Sequence, residues 1–158
     1  MNIRVIDTTI MLNLLGVPKR CADQTEVLEQ FKKALEEKDK LILPIATIIE
    51  TGNEIAKIQG TKRHEIAQKF AVYLKNTAND NAPWSCESSE IGKKELMYYA
   101  DHFTEFAIQE VGMGDLSIIM TYEKCKEIPA IGHIEIWSTD KHLSGYHEDA
   151  VYKIKRRK

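Results

Sequence analysis

Two short apolar runs with an amphipathic stretch between them constrain this chain most. Residues 3–6 carry Ile3, Val5 and Ile6, and residues 41–43 read LIL. Runs this short and this apolar suit strands buried on both faces of a parallel sheet. Between them, QTEVLEQFKKALEEKDK sets Val27, Leu28, Phe31, Ala34 and Leu35 on one stripe with charges opposite, the pattern of a helix laid on a sheet. Strand, helix and strand in this order make a β-α-β unit, which commits the chain to an α/β fold.

The pattern continues downstream. Pro44 follows the second strand, where proline suits the first turn of a helix, and IATIIETGNEIAKIQ keeps helical period as far as Gly60. A further helix is expected from Lys62 to Lys75, with Ile66, Phe70, Tyr73 and Leu74 facing inward. NTANDNAPWSCESS is polar and turn-rich, with room for a short strand at Trp84 to Cys86. From Glu90 to Glu110, Leu96, Tyr99, Phe103 and Phe106 or Ala107 recur at helical spacing and are expected in the core. A glycine-marked turn and another helix follow in VGMGDLSIIMTYEKCKEI, and then an alternating strand, GHIEIWSTDKHL, that ends at Ser138, Thr139 and Asp140. A last short strand is expected in DAVYKIK. The sum is a three-layer α/β/α sandwich around a mainly parallel central sheet.

Composition narrows the class. At 158 residues, 43% hydrophobic and 29% charged, the chain suits one soluble domain over residues 1–150, followed by a tail over residues 151–158. That tail, VYKIKRRK, holds five of the 22 Lys and Arg and no acid, which leaves the body acidic. No apolar stretch approaches the roughly 18 residues that span a bilayer, so a cytoplasmic protein without a membrane partner is expected. Cys21, Cys86 and Cys125 lack CxxC spacing, and the five histidines show neither HxxxH nor HxH. Disulfide frameworks and zinc sites are therefore not suggested.

Chemistry in an open α/β sheet sits at the carboxyl ends of the strands. Asp7 follows the first strand and Asp140 the last long one, while Glu50 lies about two turns into the helix after the second strand. Asp115 opens a helix whose next residues, Leu116, Ile118, Ile119 and Met120, are apolar. Singly, each acid is accounted for as a turn, a helix cap or a partner for a lysine such as Lys57. Together they would crowd one sheet edge, where two like charges about 4 Å apart repel by roughly 4 kcal/mol at an effective dielectric near 20. Protonation or a cation relieves that repulsion. An all-oxygen set suits Mg²⁺ or Mn²⁺, and such sites serve phosphodiester hydrolysis.

The ordered pieces VIDTTIMLNLL, LPIATIIETGN, GMGDLSII and WSTDKHL resemble the PIN domain nucleases, among them the toxin subunits of many prokaryotic toxin–antitoxin pairs. The likeness runs from residue 3 to about 143. It implies a metal-dependent endoribonuclease that cleaves RNA, with an antitoxin protein or a second copy of the chain as partner. It also implies Asp7, Glu50 and Asp115 as ligands of Mg²⁺ or Mn²⁺, with Asp140 a further ligand or the group that orients the attacking water. Thr8 or Thr9 and Thr139 would hold carboxylates, waters or phosphate. Asn13, one helical face on from Thr9, is expected to be solvent-exposed, with steadying of the first strand's loop as its other reading, and Glu54 is expected to be a solvated helix residue.

Other readings fare worse. A phosphatase of the haloacid dehalogenase type needs a second Asp two residues after the first, and Thr9 stands there. A PIN-like scaffold that binds RNA or protein without cleaving would show a substituted acid, whereas all four are present.

Overall fold

The computed structural model describes residues 2–86, 92–128 and 132–149. Five strands, β1 (Ile3–Ile6), β2 (Lys40–Leu43), β3 (Trp84–Cys86), β4 (His133–Trp137) and β5 (His147–Asp149), form one sheet in the order β3-β2-β1-β4-β5. All neighbours are parallel except β4 and β5. The mainly parallel sheet expected from the sequence is the one observed.

Strand alternation divides the core into two layers, as the period-2 geometry of a strand requires. Ile6, Leu41, Leu43 and Trp137 face α1 (Thr8–Leu15), α2 (Gln24–Glu36) and α4 (Lys62–Ala78). Ile3, Val5, Ile42, Ile134 and Ile136 face Ile118, Ile119, Tyr122 and Cys125 of α6 (Met113–Cys125). Helix α3 (Ile45–Ala56) contacts α1, α4 and α6. Each fully buried Leu or Ile in these layers contributes about 1.5–3 kcal/mol.

Helix α1 was not foreseen as a separate element. Its sequence, TTIMLNLL, is buried at every position but Thr9, so it lacks the polar face by which a helix announces itself. Asp7 caps its start and Gly16 its end, with Gly16 in the left-handed region at φ 72°. A side chain there would also meet Gln24, 2.9 Å from where a Cβ would stand.

Two further expectations change, and that of a strand in DAVYKIK lies, but for Asp149, outside the described residues. Helix α5 (Lys93–Ile108) has no buried residue: Tyr99, Phe103 and Phe106 are half-buried, and Leu96 is 58% exposed. The apolar spacing was read correctly, but α5 packs chiefly on α6 and its apolar stripe is only partly covered. The last strand, β5, begins at His147, and residues 150–158, with the basic tail, lie outside the described residues. Pro44 is the N-cap of α3 and precedes its first turn. Among the described residues, no helix is long and apolar enough to cross a membrane.

Candidate functional site

The carboxyl ends of β1, β2 and β4 open onto one cleft of about 320 Å³. Asp7, Glu50, Asp115 and Asp140 all line it, so the four acids singled out in the sequence meet at one sheet edge from four different elements.

Asp7 leaves β1 in extended conformation and turns the chain into α1. It is 2% exposed. Its Oδ2 accepts hydrogen bonds from Ser138 Oγ at 2.7 Å and from Thr9 Oγ1 at 3.0 Å, besides the longer capping bond from Thr9 N at 3.4 Å. Burial pushes its pKa up, and the hydroxyl donors pull partly against that. The cap and the cleft-lining acid are thus one residue in two roles.

Glu50 is set by the start of α3. The Thr47 hydroxyl donates to the last carbonyl of β1, that of Ile6, at 2.7 Å in a buried bond. This pins the first turn of α3 to the strand end, and Glu50 follows one turn later on the neighbouring face. Thr8 Oγ1 then donates to Glu50 Oε2 at 2.8 Å. The two threonines after Asp7 therefore divide the work, Thr8 holding Glu50 and Thr9 holding Asp7.

Asp115 is not the N-cap of α6, which is Gly112; it lies in the first helical turn, as the third residue of the helix. There the free N–H groups of the helix start favour an anion. Burial, together with Asp7, Glu50 and Asp140 facing it, nevertheless raises its pKa to about 6, with His142 opposing weakly. Gly114, just before it, lies against the Glu50 side chain: a Cβ there would collide with the Glu50 carboxylate. Any larger residue would make the Glu50 carboxylate shift, whereas the sequence presented Gly114 merely as one glycine of a turn.

Asp140 caps the short helix α7 (Lys141–Ser144), its Oδ1 accepting from His142 N at 2.9 Å. Thr139 is exposed and its backbone N–H donates to Thr9 Oγ1 at 3.0 Å. The hydroxyl that reaches the acid cluster from this segment is that of Ser138, which binds Asp7 and accepts from Asp140 N at 2.9 Å. Ser138 was passed over because a serine at a strand end is commonplace in any turn.

Two further expectations are corrected. Asn13 is 3% exposed, not solvated: its amide donates to Thr9 O at 2.8 Å and accepts from Asp23 N at 3.0 Å, tying the site turn to the entry of α2. Glu54 is paired with two cations, Lys57 Nζ at 2.9 Å and Arg20 Nη1 at 3.4 Å. The hydrogen bond from Lys57 holds its carboxyl below the usual range, with the Arg20 charge adding to the effect.

The donor set is all oxygen, as a hard divalent cation requires. Among the described residues, no three Asp, Glu, His or Cys side chains meet closely enough to enclose one ion directly. The acids face each other across a cleft with room for water, and Mg²⁺ ordinarily retains several waters of its own.

No protein-family model matches the chain, and no curated protein matches it. Among solved structures it is similar to the crystal structure of VapBC2 from Rickettsia felis bound to a DNA fragment from their promoter, at 17% identity, 86% of this chain, 99% of that chain and a TM-score of 0.46. A likeness that distant does not bear on the chemistry of the cleft.

Proposed function

We propose that this chain is a divalent-metal-dependent endoribonuclease of the PIN type. The chief support is one observation: four carboxylates from four elements face a single cleft, and Asp115 among them is pushed up to about 6 by burial and by the other three. A protein gains no stability from assembling such repulsion, so the arrangement suits a cation bound in use. Gly114, whose replacement would make the Glu50 carboxylate shift, supports a role for that carboxylate in the cleft.

Asp7, Glu50, Asp115 and Asp140 would hold Mg²⁺ or Mn²⁺, in part through water. When bound, the ion lowers the pKa of a water and neutralises charge that builds on the phosphoryl oxygens. Around it the chain positions the acids: Thr9 and Ser138 fix Asp7, and Thr8 fixes Glu50. Asp140, the last of the four in the chain, accepts from His142 N and would serve as a further ligand or orient the attacking water. In the reaction that water's oxygen bonds to phosphorus while the bond from phosphorus to a ribose oxygen breaks. The water's proton leaves to solvent or a carboxylate, and the departing oxygen is protonated.

The motif resemblance to toxin subunits extends the reading to an RNA substrate and to an antitoxin protein that restrains the enzyme. Cys21, Cys86 and Cys125 lack the spacing of a disulfide framework, which suits a reducing, cytoplasmic setting. The test is cleavage of a labelled single-stranded RNA with Mg²⁺ or Mn²⁺. Wild type is expected to cut it, EDTA to stop the reaction, and Asp115→Asn to lose at least a hundredfold; equal cutting by both proteins, or cutting in EDTA, overturns the reading.

A further inference from the structure

Beyond the acids, the wall of the same cleft turns basic. Arg20 and Lys57 line it, and with Glu54 they also line an adjoining groove of about 350 Å³ that continues past Lys19 over Val17 and Ile58. Lys19, Arg20 and Lys57 outnumber Glu54 here, on a chain whose formal charge is −2. The arrangement is graded: the Glu54 side chain is 21% exposed, whereas Arg20 and Lys57 are 52% and 72% exposed. Glu54 thus anchors both cations from below while their heads stand in the groove. Exposed ion pairs of this kind contribute little to stability. Their effect is to hold two cations at fixed places beside four carboxylates.

That position answers a difficulty of the proposed reaction. A polyanion approaching an acidic cleft is repelled unless its other phosphates find positive partners, and the planar guanidinium of arginine is suited to phosphate oxygens. We propose that Arg20 and Lys57 grip phosphates flanking the scissile one, so that the substrate is a polynucleotide strand rather than a small phosphodiester, laid from the acid cluster across Arg20 towards Lys19. Val17 and Ile58 line the groove beside the two cations. The inference rests on the hydrolase reading for the position of the scissile phosphate, but not for the grip itself.

The experiment separates the two. Binding of a fluorescein-labelled 12-nucleotide single-stranded RNA is followed by anisotropy on the Asp115→Asn protein, alone and with Arg20→Gln, Lys57→Gln or Lys32→Gln. Lys32 is a control of equal charge on the exposed face of α2, paired with Glu36. Arg20→Gln and Lys57→Gln are each expected to weaken binding about tenfold, the scale of a hydrogen bond to a charged group. Each should also shrink the slope of log affinity against log salt by about 0.7. Lys32→Gln should do neither, and thermal melts should show all three folded. In the wild-type background, Arg20→Gln should reduce the preference in kcat/KM for the 12-mer over a dinucleoside monophosphate, which has only the scissile phosphate. Arg20→Gln and Lys57→Gln binding as tightly as Lys32→Gln, or no RNA binding by the parent, overturns the grip. If RNA binds through Arg20 and Lys57 yet wild type cleaves nothing with metal, the grip stands and the hydrolase reading fails.

Discussion

Neutralising Asp115 should make the metal-free protein more stable at neutral pH and leave it unchanged in acid. The pKa of Asp115 rises from 3.8 to about 6, first through burial and then through Asp7, Glu50 and Asp140. About two units correspond to roughly 3 kcal/mol of penalty on the charged form. Asp115 is only half-buried, and the N-terminus of α6 favours its charge, so screening brings the figure to about 1.5 kcal/mol. The sign follows from linkage. Below 3.8 the carboxyl is protonated folded and unfolded alike and costs nothing. As pH climbs from 3.8 to 6 the unfolded chain ionises first, and above 6 the whole penalty is present. Urea unfolding in EDTA should therefore show Asp115→Asn more stable than wild type by about 1.5 kcal/mol at pH 7.5 and by almost nothing at pH 4, or about 3–6 °C in Tm at the higher pH. Millimolar Mn²⁺ should reverse the order, because it stabilises only the fold that binds it. No gain at pH 7.5, or the same gain at both pH values, would refute the claim that these four acids repel one another.

Gly114→Ala should leave the fold intact, since alanine favours a helix, yet lower RNA cleavage about a hundredfold by displacing Glu50, as kinetics beside a melt would show. Ser138→Ala removes the 2.7 Å donor to Asp7 and strands Asp140 N, and should cost about 1–2 kcal/mol in urea unfolding together with about tenfold in metal affinity. The Thr51 hydroxyl is buried without a hydrogen-bond partner among the described residues, so Thr51→Val should raise stability by about 1 kcal/mol; a loss would mean that the hydroxyl is bonded.

How much of this was legible in the sequence depends on which physical rule each residue obeys. Asp7, Glu50 and Asp140 could be placed because strand ends and the helix after a strand fall at one sheet edge, whatever packs around them. Asp115 was found by its apolar successors, although its place inside the first turn required the position of Gly112. Gly114 and Ser138 act only through residues far away in the chain, Glu50 and Asp7, and a glycine or serine in a turn carries no trace of such a partner. Asn13 and Glu54 were misread for the same reason: a polar residue on a helix signals solvent until Asp23 or Arg20 is seen beside it. Helix α1 escaped because it has no polar face, and α5 was credited with too much burial because periodicity shows an apolar stripe but not what covers it.

The central claim is that Asp7, Glu50, Asp115 and Asp140 form a binding site for a divalent cation, and a titration of Mn²⁺ followed by the loss of its free EPR signal tests it most directly. Wild type should bind saturably, and Asp7→Asn, Glu50→Gln and Asp115→Asn should each weaken binding tenfold or more. Weak, non-saturating uptake that is the same in wild type and all three variants would contradict it.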